Sequence, residues 1–116
     1  MTDLTGKRII VIGGASGIGL GVATAAVAAG ADVVIASRRA ESLAAALAGL
    51  GSAARGTALD VADEAAVARF FADAGAFNHL VYTAGDWSAI GGGEIASLDL
   101  DAARAVFGVR FWGALA

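Results

Sequence analysis

The stretch Gly13-Gly14-Ala15-Ser16-Gly17-Ile18-Gly19 carries the strongest chemical signal in the sequence. Glycine has no Cβ, so glycines set between a strand and a helix let a phosphate reach the backbone N–H groups. The helix N-terminus adds a partial positive charge there. In the spacing Gly-x-x-x-Gly-x-Gly, Gly13 makes the tight turn, Gly17 permits close approach, Gly19 lets the helix pack on the sheet, and Ser16 offers a hydroxyl donor. The plain alternative is a glycine turn that only reverses the chain; the β-branched run before it and the helical run after it favour the phosphate cradle.

The elements that must position this turn follow in regular order. "KRIIVI", Lys7 to Ile12, has the composition of a parallel strand buried on both faces, and Gly17 to Ala29 reads as a helix with Ile18, Val22, Ala25 and Ala26 on one face and Gly30 as its terminator. "ADVVIAS", Ala31 to Ser37, is a second strand, and "RRAESLAAALAGLG" a helix ended by Gly49 or Gly51. "ARGTALDV" supplies a third strand. Asp63 caps a helix in which Val67, Phe70, Phe71 and Ala74 recur before Gly75 stops it. His79 to Thr83 is a fourth strand, followed by a glycine-rich loop, Asp86 to Ala96, and a last helix from about Leu98. Strand and helix alternate four times, which predicts an α/β fold: a doubly wound parallel sheet with helices on both faces and ligands at the carboxyl ends of the strands.

Composition excludes several other classes. The uncharged run from Ile9 to Ala31 is long enough to cross a bilayer. Five glycines in its middle, Gly13, Gly14, Gly17, Gly19 and Gly21, argue against a membrane helix, as do flanks that offer only Lys7 and Arg8 before the run and Asp32 after it. A signal peptide and a flexible linker fit no better, because the start is not basic and the flanks are apolar. With 116 residues the chain is one unit, and a net charge of −3 without a basic stripe points to no nucleic-acid or membrane partner. The absence of cysteine rules out thiol chemistry, and a single histidine argues against a metal cluster; a cytoplasmic location is expected.

The glycine turn resembles the Thr-Gly-x-x-x-Gly-x-Gly signature of the short-chain dehydrogenases/reductases, with Ile12 at the usual threonine. Three further segments resemble that family in order: Asp60-Val61, at the end of the third strand, its adenine-contacting Asp-Val pair; Thr83-Ala84-Gly85, the tail of its Asn-Asn-Ala-Gly motif; and "FGVRFWG", Phe107 to Gly113, its Phe-x-Val-Asn-x-x-Gly helix. The resemblance spans the chain and implies a Rossmann-type nicotinamide-binding sheet acting on a small carbonyl or alcohol, in a homo-oligomer. It also departs: Tyr82 and Thr83 stand at the paired asparagines, and Arg110 at the catalytic asparagine.

Cofactor choice turns on the residue near 20 positions beyond the glycines, where an acid would bind the ribose hydroxyls and repel a 2′-phosphate. That residue is Ser37, followed by Arg38 and Arg39, whose guanidinium forks match phosphate oxygens. NADP(H) is therefore favoured over NAD(H). A solvated helix start is the bland account of the two arginines, but cations at a helix N-terminus are mildly unfavourable.

The family's serine and Tyr-x-x-x-Lys pair have no counterpart: the only tyrosine is Tyr82, with Asp86 four residues on, and the only lysine is Lys7. No catalytic residue is therefore assigned within the chain. It also stops at Ala116 inside a helical pattern, so residues 1–116 read as the amino-terminal, cofactor-binding half of a single domain, truncated after the fourth strand and its helix. A non-catalytic nucleotide sensor and an assembly module are the alternatives.

Overall fold

Ile9 to Ile12 and Val33 to Ala36 are apolar at every position, the pattern of strands covered on both faces, and every one of these residues is buried. The computed structural model of the protein describes residues 3–85 and 100–107. Within them the order is β1 (Arg8–Ile12), α1 (Gly17–Ala28), β2 (Asp32–Ser37), α2 (Ala40–Leu50), β3 (Ala54–Ala58), α3 (Glu64–Ala74), β4 (His79–Tyr82) and α4 (Leu100–Phe107). The strands form one parallel sheet in the order β3-β2-β1-β4, with Ile12 opposite Ala36 on one side and Tyr82 on the other. The chain moves outward from β1 to β3, then returns across the sheet to β4, so the winding reverses between β1 and β4. This is the doubly wound α/β arrangement expected.

Strand alternation divides the core in two. Ile9, Val11, Val33 and Ile35 pack with Ala23 and Ala26 of α1 and Leu43 and Ala46 of α2. Ile10, Ile12, Val34 and Ala36 face the other way, against Val67, Phe70 and Ala74 of α3. The α3 cap is as expected, with Ala66 N–H donating to Asp63 Oδ1 at 3.1 Å. At the end of α1, Gly30 N–H donates to Val27 O and Ala31 N–H to Ala26 O, both 3.0 Å, the paired closure typical of a glycine stop.

Four local expectations are corrected. On α1 the sheet-facing residues are Gly19, Ala23 and Ala26, while Ile18 is 79% exposed. The helix is apolar nearly all round, so periodicity could not choose a face; close approach to the sheet selects the smallest residues. β3 ends at Ala58, leaving Asp60 and Val61 beyond it, because Asp60 Oδ1 accepts from Ala62 N–H at 3.0 Å and turns the chain. α2 begins at Ala40 rather than Arg38, since the backbone stays extended through Arg39. β4 stops at Tyr82, although Thr83 N–H still donates to Ile12 O at 2.8 Å.

One clamp at the amino-terminal edge has no signature in the sequence. Arg8 donates through Nε to Asp32 Oδ2 and through Nη1 to the Ala74 carbonyl at the end of α3, each at 2.8 Å, and Asn78 receives Arg8 N–H on its side chain. The Arg8–Asp32 pair is partly exposed and worth little by itself; the charge-assisted bond to a helix C-terminal carbonyl adds to it. Arg8→Met is expected to cost about 1 to 2 kcal/mol, read as a lower denaturant midpoint at unchanged slope.

Candidate functional site

Because all four strands run the same way, Ile12, Ser37, Ala58 and Tyr82 end on one edge of the sheet, and the candidate cofactor residues in the described part of the sequence lie at or just beyond that edge. The turn from β1 is built on two consecutive peptides. Gly13 N–H and Gly14 N–H both donate to the Ala36 carbonyl of β2, at 2.8 and 3.3 Å. From the β4 side, the Thr83 hydroxyl donates between the Ile12 and Gly13 carbonyls, 3.2 Å from each.

The glycines have distinct reasons to be glycine. Gly13 has φ +88°, and a Cβ there would lie 2.7 Å from both Ala84 N and Thr83 Oγ1. A Cβ on Gly19 would lie 2.0 Å from the Gly13 carbonyl oxygen and 2.5 Å from Thr83 Oγ1, so α1 lies close against the turn at this residue. Gly17 has φ +55° with nothing within 4 Å of where a Cβ would stand, so its outer side is open.

At the start of α1, Ser16 is the N-cap residue, extended and exposed, with no cap bond from its side chain. Leu20 N–H is bonded to Ser16 O at 3.2 Å, whereas the Gly17, Ile18 and Gly19 amides precede the first possible intrahelical bond. Amides and a hydroxyl without partners among the described residues, beside an open glycine surface, together suit an anionic group such as a pyrophosphate.

The remaining residues fall into two groups. Ser37 is half-buried, its carbonyl accepting Leu59 N–H at 2.9 Å, and Arg38 and Arg39 follow, both exposed and neither with an ion pair among the described residues. Arg39 is the N-cap of α2, its carbonyl accepting from Leu43 N–H at 3.1 Å. Asp60 is exposed with one carboxylate oxygen turned to Ala62 N–H, while Val61 is buried in the α3-side core. Ala84 packs against that same core, and Gly85 is exposed. Arg110, with the rest of the "FGVRFWG" segment after Phe107, and the loop from Asp86 to Ala96 lie outside the described residues.

A recess of about 240 Å³ between α3 and β3, lined by residues including Arg55, Thr57, Phe70 and Asp73, contains none of these groups. The open amides and the arginine pair, rather than that recess, mark the candidate site. Among the described residues no cluster of metal-ligating side chains occurs, and no helix is long and apolar enough to cross a membrane. The double role of Thr83 is not legible in the sequence; the one available signal is a hydroxyl residue directly after an apolar strand.

Known proteins resemble the chain along its length. The short chain dehydrogenase family model matches residues 7–116. A "Probable oxidoreductase" of Streptomyces antibioticus is 51% identical over 73 residues, covering 59% of this chain and 24% of that protein. The "Short-chain dehydrogenase/reductase fsr5" of Gibberella fujikuroi is 35% identical over 132 aligned positions, covering 99% of this chain and 48% of its own length. A solved short-chain type dehydrogenase/reductase from Mycobacterium ulcerans superposes with a TM-score of 0.87 at 34% identity, covering 97% of this chain and 44% of that one. The chain thus spans about half the length of the relatives that it matches end to end. With the glycine turn, the parallel sheet and this match in agreement, the chain belongs to the short-chain dehydrogenase family.

Proposed function

We propose that the chain is the cofactor-binding half of an NADP(H)-dependent oxidoreductase that interconverts a small carbonyl compound and its alcohol. The observation that carries the cofactor preference is Arg38, exposed beyond β2 and without an ion pair among the described residues, directly after Ser37, the position where an acid would favour NAD(H). The first-turn amides of α1 and the Ser16 hydroxyl would hold the pyrophosphate, with Gly13, Gly17, Ile18 and Gly19 shaping its bed. Ser37, Arg38 and Arg39 would take the 2′-phosphate, Asp60 and Val61 the adenine side, and Thr83, Ala84 and Gly85 the ribose side of the nicotinamide. NADPH, when bound, supplies hydride. A proton must accompany that hydride, and within 116 residues no serine and Tyr-x-x-x-Lys set offers one, so the chain contributes binding and orientation. A cytoplasmic homo-oligomer belongs to the same reading.

The test is a fluorescence titration with NADPH, paired with NADPH oxidation against aldehydes, ketones and quinones. The chain is expected to bind without turnover, and the same chain extended through its downstream reading frame to show turnover. Gly17→Val sets a branched side chain where a phosphate would approach the backbone and is expected to abolish binding in a folded protein. Retained affinity in that variant would make the loop a turn only. Binding without turnover in the extended chain would favour a nucleotide sensor.

A further inference from the structure

Two consecutive peptides launch the phosphate turn, and each is gripped from both sides. The peptide joining Ile12 to Gly13 gives its N–H to Ala36 O and its carbonyl to Thr83 N–H; the peptide joining Gly13 to Gly14 gives its N–H to Ala36 O and its carbonyl to the Thr83 hydroxyl. Ala36 O on β2 therefore sits between two amides, and Thr83 Oγ1 on the β4 side between two carbonyls. The second grip is the weaker on both sides, with Gly14 N–H at 3.3 Å and the shared hydroxyl at 3.2 Å, and it is the one that directs the chain out of the strand.

We propose that the Thr83 hydroxyl is a positioning residue for the nucleotide site: it fixes the Gly13–Gly14 peptide, and through it the first turn of α1. This rests on the nucleotide-binding reading above. The backbone N–H of Thr83 already continues the β1–β4 ladder, so the hydroxyl is not needed for strand pairing. Its oxygen lies 3.2 Å from two carbonyls of the turn, so the hydroxyl acts on a ligand through the turn, and the ribose contact proposed above falls to the Thr83 backbone. The packing agrees, since the positions of a Cβ on Gly13 and on Gly19 both fall within 2.7 Å of Thr83 Oγ1: the three residues occupy one spot, and each is small because the others are there. Removing the hydroxyl leaves the Gly13 carbonyl, beside a buried Gly14, without its β4-side donor.

Thr83→Val removes the hydroxyl at nearly constant shape, and Thr83→Ser keeps it. In the full chain, Thr83→Val is expected to weaken NADPH by about tenfold and to speed amide exchange at Gly14 by about tenfold relative to Ile10 and Val11. Thr83→Ser is expected to restore both, which a purely space-filling role for the side chain would not do. Unchanged exchange at Gly14 in Thr83→Val, wild-type NADPH affinity in that variant, or a serine variant as impaired as the valine one would overturn the proposal. If the wild-type chain takes no NADPH, the nucleotide reading falls, and the exchange rates at Gly14 alone decide whether the hydroxyl holds the turn.

Discussion

Gly19→Ala is expected to be the most damaging glycine-to-alanine change among the described residues. The added carbon would stand 2.0 Å from the Gly13 carbonyl oxygen, 2.8 Å from its carbon and 2.5 Å from Thr83 Oγ1. Flexible side-chain ends can move aside, but a backbone carbonyl held by its neighbours cannot. Either α1 shifts away from the sheet, opening the core around Ala23 and Ala26, or the Gly13 turn breaks its bonds to Ala36 and Thr83. Overpacking against side chains costs about 1 to 3 kcal/mol, and a rigid backbone obstacle puts this change at or above the upper end. Against a total domain stability of about 5 to 15 kcal/mol, that lowers the unfolding midpoint sharply and removes nucleotide binding with it. Gly21→Ala is the internal control: it lies in the same helix with nothing within 4 Å of the added methyl, and is expected to gain about 0.5 to 1 kcal/mol through helix propensity. Thermal and urea unfolding followed by circular dichroism reads both. Equal stability of the two variants would mean that α1 can slide on the sheet without loss.

Arg38→Asp is expected to have the largest effect on cofactor choice. The substitution removes a guanidinium that can form paired bonds to a phosphate and adds a carboxylate that repels it, a loss of about 2 to 4 kcal/mol for NADPH. NADH carries no 2′-phosphate and should be affected far less, so the ratio of the two dissociation constants is the readout. Arg39→Asp is expected to show the smaller change, because Arg39 is the N-cap of α2 and its backbone is tied into that helix. Equal weakening of NADPH and NADH by Arg38→Asp would assign the arginine to the helix start, where its charge faces the dipole unfavourably.

The sheet was legible because its strands speak in two ways at once. Ile9 to Ile12 and Val33 to Ala36 are apolar without interruption, which a strand covered on both faces requires, and a glycine closes each helix that precedes β2, β3 or β4. The capping aspartate of α3 is a local device between Asp63 and Ala66, three residues apart, and so was readable too. The face of α1 was not. Its residues are nearly all apolar, so the pattern held no preference, and the choice of Gly19, Ala23 and Ala26 follows from how near the sheet lies.

The order of the elements and the place of the glycine turn at the end of β1 are written locally in the chain, because each depends on neighbours within a few residues. Which groups meet at that turn is settled by contacts between distant parts of the chain. Thr83 grips the Gly13 turn across a separation of 70 residues, Arg8 reaches Ala74 across 66, and a Cβ on Gly19 is forbidden by a carbonyl that belongs to another element. Such contacts depend on the register of β4 against β1, and that register is set by the packing of both faces of the sheet at once, which no local pattern encodes.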